Sequence, residues 1–256
     1  MDTNSNELIE KFHEIACKGW IPNSGVNNQG NIGITFEHEI GKEPDSSYLP
    51  DYNGIELKCI SRYSRYPLHL FTLAFDGPGE NEILRLANKF GYYDHDFPDK
   101  KVMYRRVTNT INSVNKYNFY LVPDYLKRRL YLAVYSGEGI LIEKESYVNF
   151  DTIKERLETK LSKMAVIYAS KKTINNKMFF RYYKLLLYSL KDFDSFIEEI
   201  RSNKMDISLV ARVSKSGEQI GRYRNRSLVF SIRKENIDSV FNCYYNYDYD
   251  RLSYSF

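Results

Sequence analysis

The sequence is poor in the side chains that build disulfide frameworks and soft-metal centres. Its three cysteines, Cys17, Cys59 and Cys243, lie far apart and form no C-x-x-C pair. This spacing excludes a structural zinc site and a disulfide framework, and it predicts a reducing compartment, the cytoplasm. The four histidines also lie outside the spacings of histidine-metal proteases and nucleases; they are His13, His38, His69 and His95.

Long apolar segments are absent as well. No run of about 18 apolar residues occurs, so no transmembrane helix is expected. The first residues, MDTNSNELIEKF, are polar and acidic, unlike a secretory signal peptide. The pattern G-x-x-x-x-G-K-[ST] is missing, which argues against P-loop nucleotide chemistry. We therefore expect a cytoplasmic protein with no membrane partner.

Charge is distributed unevenly along the chain, although the net charge is only +4. Residues 37–58 contain six acidic side chains and two lysines. Residues 99–129 and 201–234 contain eight and nine basic side chains, against two acidic ones in each segment. A single charge run is often a solvated surface, but two basic segments around an acidic one suit a metal site beside a polyanion. The pattern favours a nucleic-acid partner.

Apolar periodicity predicts a mixed α/β chain. Helical patterns occupy the segments near 4–18, 35–40, 81–90, 151–161 and 193–200. Strand patterns lie near 55–60, 68–75, 102–110, 118–122, 130–135, 164–169, 207–213 and 227–232. No internal repeat or low-complexity linker separates them. We expect one α/β core with an attached lobe.

The segment YLPDYNGIELKCIS concentrates the chemically informative residues. Glu56 and Lys58 are two positions apart on a predicted strand, so their side chains leave the same face of that strand. The N-G dipeptide just before the strand predicts a tight turn, which would fold Asp51 back beside Glu56. Asp45 also follows a proline and is the alternative aspartate. We choose Asp51 because it adjoins the turn and needs no long loop to reach the strand.

Two carboxylates and one ammonium group in this arrangement suit phosphodiester hydrolysis. Asp51 and Glu56 would hold Mg²⁺ through oxygen, and the ion would polarise a phosphate oxygen and lower the pKa of the attacking water. Lys58 would position that water or help to deprotonate it, and would stabilise charge on phosphorus. An E-x-K triplet alone is usually a surface ion pair. The preceding aspartate and turn make the hydrolytic interpretation the stronger one.

The residues around this segment resemble a known family. The runs GNIGITFEHEIG at 30–41 and PDYNGIELK at 50–58 resemble the MvaI/BcnI restriction endonucleases, relatives of the MutH mismatch-repair nickase within the PD-(D/E)XK nuclease fold. The likeness continues at 70–72 and 164–167, and more loosely from 206 to 230. It therefore covers most of the chain.

This resemblance implies both a fold and a set of site residues. The fold would be α/β, with a restriction-endonuclease-like mixed-sheet core and a second, DNA-recognition lobe. Asp51, Glu56 and Lys58 match the family's catalytic triad, with Asp51 and Glu56 as the ligands of Mg²⁺, for which Mn²⁺ can substitute. Glu37 matches an additional catalytic helix acid of the MutH-like group. An ordinary solvated helix glutamate is the alternative interpretation of Glu37.

The resemblance also implies a base-reading loop between two late strands, here VSKSGEQIGRYRNRS. Basic side chains there can bond phosphates or the guanine major-groove edge; the candidates are Arg212, Lys215, Arg222, Arg224 and Arg226. For any one arginine, non-specific backbone contact is an equal alternative. Tyr223 and Asn225 stand where family members often have histidines, which leaves the target sequence open. Arg105 and Arg106 are expected on the DNA backbone or in solvent.

The combined prediction is a Mg²⁺-dependent type II restriction enzyme. It would act on double-stranded DNA as a monomer, cut a short GC-containing site, and have a companion methyltransferase for the same site. A MutH-like nickase and a non-cleaving DNA-binding protein of the same fold are the alternatives, and the intact triad argues against the second. The single chain, 1–256, would have a catalytic lobe at roughly 1–140 and 163–190, with its catalytic segment at 30–75, and a recognition lobe at roughly 190–256.

Overall fold

The structure is a computed structural model that describes residues 1–25, 32–42 and 49–252 of the chain. Within these ranges, the side chains of residues 225, 226, 251 and 252 are not described. The first half of the G-N-x-G motif, Gly30 and Asn31, therefore lies outside the described residues. The same holds for Asp45 and for the side chain of Arg226.

The described part of the chain contains both helices and strands, with β4 to β9 in succession between two helices. The helices are α1 (Thr3–Cys17), α2 (Ile32–Glu39), α3 (Glu82–Phe90), α4 (Phe150–Leu161), α5 (Phe193–Arg201), α6 (Ile237–Val240) and α7 (Tyr249–Leu252). The strands are β1 (Ile21–Pro22), β2 (Glu56–Ser61), β3 (Leu68–Leu73), β4 (Tyr92–Tyr93), β5 (Lys101–Val107), β6 (Tyr117–Asp124), β7 (Arg129–Ser136), β8 (Leu141–Glu143), β9 (Tyr147–Asn149), β10 (Lys163–Ile174), β11 (Lys177–Leu190), β12 (Met205–Val213), β13 (Tyr223–Ile232) and β14 (Phe241–Asp248). None of the described helices is long and apolar enough to cross a membrane.

The chain forms two compact units. Unit 1 comprises Met1–Tyr66, Leu157–Lys191 and Val240–Phe256, and unit 2 comprises Pro67–Arg156 and Asp192–Ser239. These bounds differ from those of the expected lobes, because β3 and β5 pair with β13 and β12 in unit 2, whereas β14 pairs with β11 in unit 1. The functional assignment of the lobes stays a prediction.

Unit 1 is built on a mixed five-stranded sheet. Its strand order is β1-β11-β10-β2, and β14 also pairs with β11. β2 and β10 run parallel, with Glu56 opposite Met164, and the other pairs are antiparallel. Helices α1 and α2 join the sheet in an apolar cluster that includes Phe12, Phe36, Ile55, Leu57 and Tyr182. One side of β2 is thus fixed in the core, which leaves the alternate side chains for the site.

The strand β11 has no counterpart among the sequence-predicted strands. Its sequence, KMFFRYYKLLLYSL, lacks the period-two alternation of a half-buried strand. The structure shows the reason. β11 is an inner strand, paired with β10 on one edge and with β14 on the other. The four consecutive residues 185–188, which point alternately to the two faces of the sheet, are all buried. A strand covered on both faces needs apolar side chains on both faces, so alternation is lost.

Unit 2 contains two antiparallel sheets. One has the order β3-β13-β12-β5-β4, and the other pairs β6 with β7, which also pairs with β8 and β9. Phe71 and Phe230 stack with 4.8 Å between ring centroids, and Phe196 of α5 lies 5.9 Å from Phe71, so α5 packs on the first sheet. This sheet supports the segment between β12 and β13, which closes on itself through a 2.9 Å bond from the Ser214 N–H to the Arg222 carbonyl.

Candidate active site

A tight turn places Asp51 beside the strand β2. Tyr52 and Ile55 exchange two backbone hydrogen bonds of 3.0 and 2.7 Å, and Asn53 and Gly54 between them have φ angles of 44° and 82°. Positive φ at both central positions is what an N-G turn supplies. The chain therefore reverses, and Asp51 Oδ2 accepts a 3.0 Å hydrogen bond from the Leu57 N–H. The predicted turn is present, and it brings Asp51 to the start of β2.

Glu56 and Lys58 lie on the same face of β2, as strand alternation predicts. Lys58 Nζ donates a 2.6 Å hydrogen bond to Glu56 Oε1. The Glu56 side chain is only 2% exposed, and Lys58 is 14% exposed. A buried carboxylate requires such a partner, because loss of its hydration is costly.

A second lysine, Lys160 at the end of α4, completes this cluster. Its Nζ lies 3.1 Å from the other carboxylate oxygen, Glu56 Oε2. No sequence motif marks Lys160 as a site residue. The only signal for it is positional: Lys160 comes just before β10, and Met164 of β10 is paired with Glu56 in parallel register. The residues that precede β10 must therefore lie near the start of β2.

Burial dominates the electrostatics of Glu56. Loss of hydration raises the pKa of its carboxyl above the ordinary value, and the negative charge of Asp51 raises it further. Lys58 and Lys160 oppose this effect by stabilising the ionised form. The site therefore contains two carboxylates whose mutual repulsion is opposed by the neighbouring ammonium groups.

The helix α2 brings Glu37 into the same neighbourhood. Tyr182 Oη donates a 2.7 Å hydrogen bond to the Ile32 carbonyl at the start of α2, which ties the helix to β11. Burial raises the pKa of the Cys59 thiol on β2, and the negative charges of Glu37 and Asp51 both raise it further. Both carboxylates therefore lie within electrostatic reach of Cys59. The structure brings Asp51, Glu56 and Lys58 together at the start of β2, and it places Glu37 within electrostatic reach of Cys59 on the same strand.

The oxygen donors of this site fit a hard divalent ion. Glu56 Oε2 is buried and is ion-paired with Lys160 Nζ at 3.1 Å, without a hydrogen bond of good geometry to any described residue, while Asp51 Oδ1 has Lys42 Nζ at 3.4 Å. No group of three His, Cys, Asp or Glu side chains converges within residues 1–25, 32–42 and 49–252. This is compatible with Mg²⁺, which keeps several waters and needs only one or two carboxylates together with phosphate oxygens.

Three of the candidate DNA-contact residues line one pocket of unit 2. Arg212 on β12 is opposite Arg224 on β13, and the Arg212 guanidinium lies 5.3 Å from the ring centroid of Tyr104. These residues line a cavity of about 630 Å³ together with Lys215. Arg222 is not among its lining residues; its Nη1 donates a 3.3 Å hydrogen bond to Gln219 Oε1.

Arg105 and Arg106 line a second, strongly basic pocket of about 540 Å³, which shares Tyr104 with the first. The Arg105 guanidinium lies 5.3 Å from the ring centroid of Tyr92. Arg106 is ion-paired with Asp206. The lining of this pocket includes no acidic residue and three further bases, Lys89, Lys101 and Lys116. An anionic ligand would find a favourable field there.

A mixed sheet with a folded-back aspartate and an E-x-K pair on one strand defines a restriction-endonuclease-like α/β protein. The model of the MvaI/BcnI restriction endonuclease family matches residues 9–241, and the chain belongs to that family. It is therefore a type II site-specific deoxyribonuclease, which cuts DNA at a specific sequence. The resemblance seen in the sequence is confirmed.

Solved structures agree with this assignment. The chain is similar to the restriction endonuclease MvaI in complex with its cognate DNA substrate, with 25% identity, a TM-score of 0.84, and coverage of 95% of this chain and 98% of that chain. It is also similar to MvaI in the absence of DNA, with 23% identity, a TM-score of 0.59, and coverage of 95% and 97%. The second likeness shows the fold alone. No curated protein matches the sequence. Enzymes of this family generally use divalent metal ions.

Proposed function

We propose that this deoxyribonuclease hydrolyses double-stranded DNA with Mg²⁺ held by Asp51 and Glu56, and that Mn²⁺ can substitute. The observation that supports this best is the convergence of the two carboxylates: Asp51 Oδ2 is bonded to the Leu57 N–H, one residue beyond Glu56. When bound, the ion would polarise a non-bridging phosphate oxygen and lower the pKa of a bound water.

The remaining groups of the site have distinct roles in this proposal. Lys58 exchanges its bond to Glu56 for the attacking water or the scissile phosphate, and its charge stabilises the negative charge that develops on phosphorus. Glu37 acts as an additional carboxylate that orients the water or the ligands of the ion. Lys160 opposes protonation of Glu56 and orients its carboxylate before DNA arrives.

We further propose that unit 2 binds the DNA. The basic pocket with Arg105 and Arg106 suits phosphates, which position a duplex but do not specify sequence. Arginine forks match guanine O6 and N7, and the candidates for base contact are Arg212, Arg222, Arg224 and Arg226. The solved complex of the similar enzyme MvaI with its cognate DNA substrate is consistent with this partner.

The cellular setting follows from the family resemblance. We propose a cytoplasmic monomer with one active site that cuts the two strands in turn. A methyltransferase acting on the same site would protect the host DNA without needing direct contact with the nuclease.

Cleavage of supercoiled plasmid DNA tests the proposal. With Mg²⁺ or Mn²⁺, the purified protein is expected to yield discrete fragments whose sequenced ends share one short motif, and EDTA is expected to stop the reaction. The Glu56→Ala variant is the matched inactive control. Persistent nicked circles without linear product would support a nickase instead, and cleavage in EDTA would contradict the metal dependence.

A further inference from the structure

The loop from Asp94 to Phe97 is held in a single shape beside the β12–β13 segment. Asp94 Oδ1 accepts hydrogen bonds of 2.9 and 3.2 Å from the N–H groups of Asp96 and Phe97. The Asp94 carboxylate is itself buried. The backbone that follows His95 is therefore fixed by the side chain of the residue before it.

Three side chains fasten this region to the segment between β12 and β13 and to the start of β13. Lys215 Nζ lies 2.7 Å from Asp96 Oδ2 and 3.4 Å from Asp94 Oδ1. Lys100 Nζ donates a hydrogen bond to the Gly221 carbonyl, and Tyr223 Oη donates one of 3.2 Å to the Lys101 carbonyl. The Lys215 ammonium is thus engaged by two carboxylates. Direct contact of Lys215 with DNA stays a prediction.

His95 is exposed, yet its ring is oriented. Its side chain is 97% exposed, and its Nδ1 lies 2.9 Å from Asp96 Oδ1. The bonds from His95 and Lys215 hold the pKa of the Asp96 carboxyl below its usual range. An ionised carboxylate can only accept hydrogen bonds, so Nδ1 is the donor. In the neutral imidazole, Nε2 is then left as an acceptor.

His95 lines the 630 Å³ pocket to which Arg212 and Arg224 also belong. The pocket therefore combines an acceptor on one loop with two arginine forks on neighbouring strands. The two kinds of group are complementary for reading bases: arginine donates to guanine, whereas an acceptor pairs with the amino group of adenine or cytosine in the major groove.

We propose that His95 is a specificity-determining residue whose Nε2 accepts a hydrogen bond from the exocyclic amino group of an adenine or cytosine, and that Lys215 is the positioning residue for it. This inference rests on the proposed binding of DNA by unit 2. It assigns base reading to a loop more than a hundred residues before the predicted recognition segment.

The His95→Ala variant tests the direct contact. Its affinity is measured at fixed salt and without divalent ions for the cognate duplex, found by selecting bound duplexes from a randomised pool, and for a scrambled duplex of equal length. We expect about a tenfold loss or more on the cognate duplex and none on the scrambled one, because a base contact discriminates by that order. The matched control is His69→Ala, an exposed histidine of unit 2 outside the pocket lining.

Two outcomes would overturn the role of His95. Unchanged cognate affinity would mean that it does not touch DNA, and equal losses on both duplexes would mean a phosphate contact. Duplexes that differ from the cognate sequence by one base pair sharpen the test. The base pair at which His95→Ala no longer discriminates must contain the adenine or cytosine that His95 contacts in the wild type. Because no cleavage is measured, failure of the proposed metal chemistry leaves this result interpretable. A wild type that does not prefer the cognate duplex would overturn DNA reading by unit 2 itself.

Substitution of Lys215 tests the positioning role. Lys215→Met is expected to lose discrimination at the same base pair as His95→Ala, and Lys215→Arg to regain it, because arginine can bridge the same carboxylates. A phosphate-binding lysine would instead weaken both duplexes alike and reduce the salt dependence. That result would overturn the positioning role.

Discussion

Lys160 Nζ lies 3.1 Å from Glu56 Oε2, on the carboxylate oxygen that Lys58 does not bond. The two lysines come from different elements, α4 and β2, and together they neutralise a glutamate that is 2% exposed. Two ammonium groups around one buried carboxylate give that carboxylate a fixed orientation before any ion binds. They also create a local excess of positive charge beside the place proposed for the phosphate.

This relationship predicts that Lys160 stabilises the metal-free protein. In Lys160→Met, Glu56 Oε2 loses its ion-pair partner, so the free energy of unfolding should fall by about 1–3 kcal/mol. Added Mg²⁺ should recover more of the melting temperature in this variant than in the wild type, because the cation replaces the missing ammonium charge. Thermal unfolding with and without Mg²⁺ measures both effects. Lys171→Met, an exposed lysine on β10, is the control, and equal melting temperatures for all three proteins would contradict the prediction.

Removal of either proposed metal ligand should abolish cleavage. For Asp51→Ala and Glu56→Ala, we expect cleavage rates to fall by more than the roughly 100-fold typical of losing an outer-sphere partner, because the ion itself is no longer held. Affinity for DNA should be kept or should increase, since a negative charge beside phosphate is removed. Cleavage and binding assays on the same duplex separate the two effects. Full cleavage by either variant with Mg²⁺ would refute the assignment.

The substitution Lys58→Ala should affect the chemical step rather than binding. Loss of one group that stabilises transition-state charge slows a reaction by about 100- to 1,000-fold, and such a charge is needed mainly at the transition state. Single-turnover rates measured at saturating enzyme are expected to show this loss with little change in Kd. A near-normal rate combined with a large loss of affinity would make Lys58 a phosphate clamp instead.

The turn before β2 should matter for activity beyond its effect on stability. Gly54 has a φ of +82° with open space around its Cα, so Gly54→Ala adds backbone strain but no steric clash. We expect a loss of about 1 kcal/mol in stability, together with slower cleavage, because Asp51 shifts relative to Glu56. Gly19→Ala, also at positive φ in open space, is the matched control. An equal effect of both variants on cleavage would remove the turn from the mechanism.

Comparison of cognate and scrambled duplexes distinguishes base-reading arginines of the predicted recognition segment from arginines that contact only phosphates. Alanine at one or more of Arg222, Arg224 and Arg226 should lower cognate cleavage far more than non-specific binding, because a base-reading arginine contributes roughly 1–3 kcal/mol of discrimination. The comparison is between cognate and scrambled affinity at fixed salt. Arg201→Ala, whose guanidinium pairs with Glu198 on α5, serves as control. Equal losses on both duplexes for all three variants would place base readout outside this segment.

The core of the site was predictable because its geometry is local. Strand alternation puts Glu56 and Lys58 on one face, and the N-G dipeptide accounts for the return of Asp51 to β2. All these residues lie within eight positions of one another, so backbone periodicity and turn chemistry decide where they point.

The distant residues that join this site are fixed by long-range strand pairing, which no local pattern encodes. Lys160 reaches Glu56 because β10 pairs with β2 in parallel register, and Lys215 meets Asp94 and Asp96 across more than a hundred residues of chain. The bounds of the two units likewise follow from long-range strand pairing. Such pairing depends on the packing of whole sheets, which leaves no periodic signal at the individual residues that it brings together.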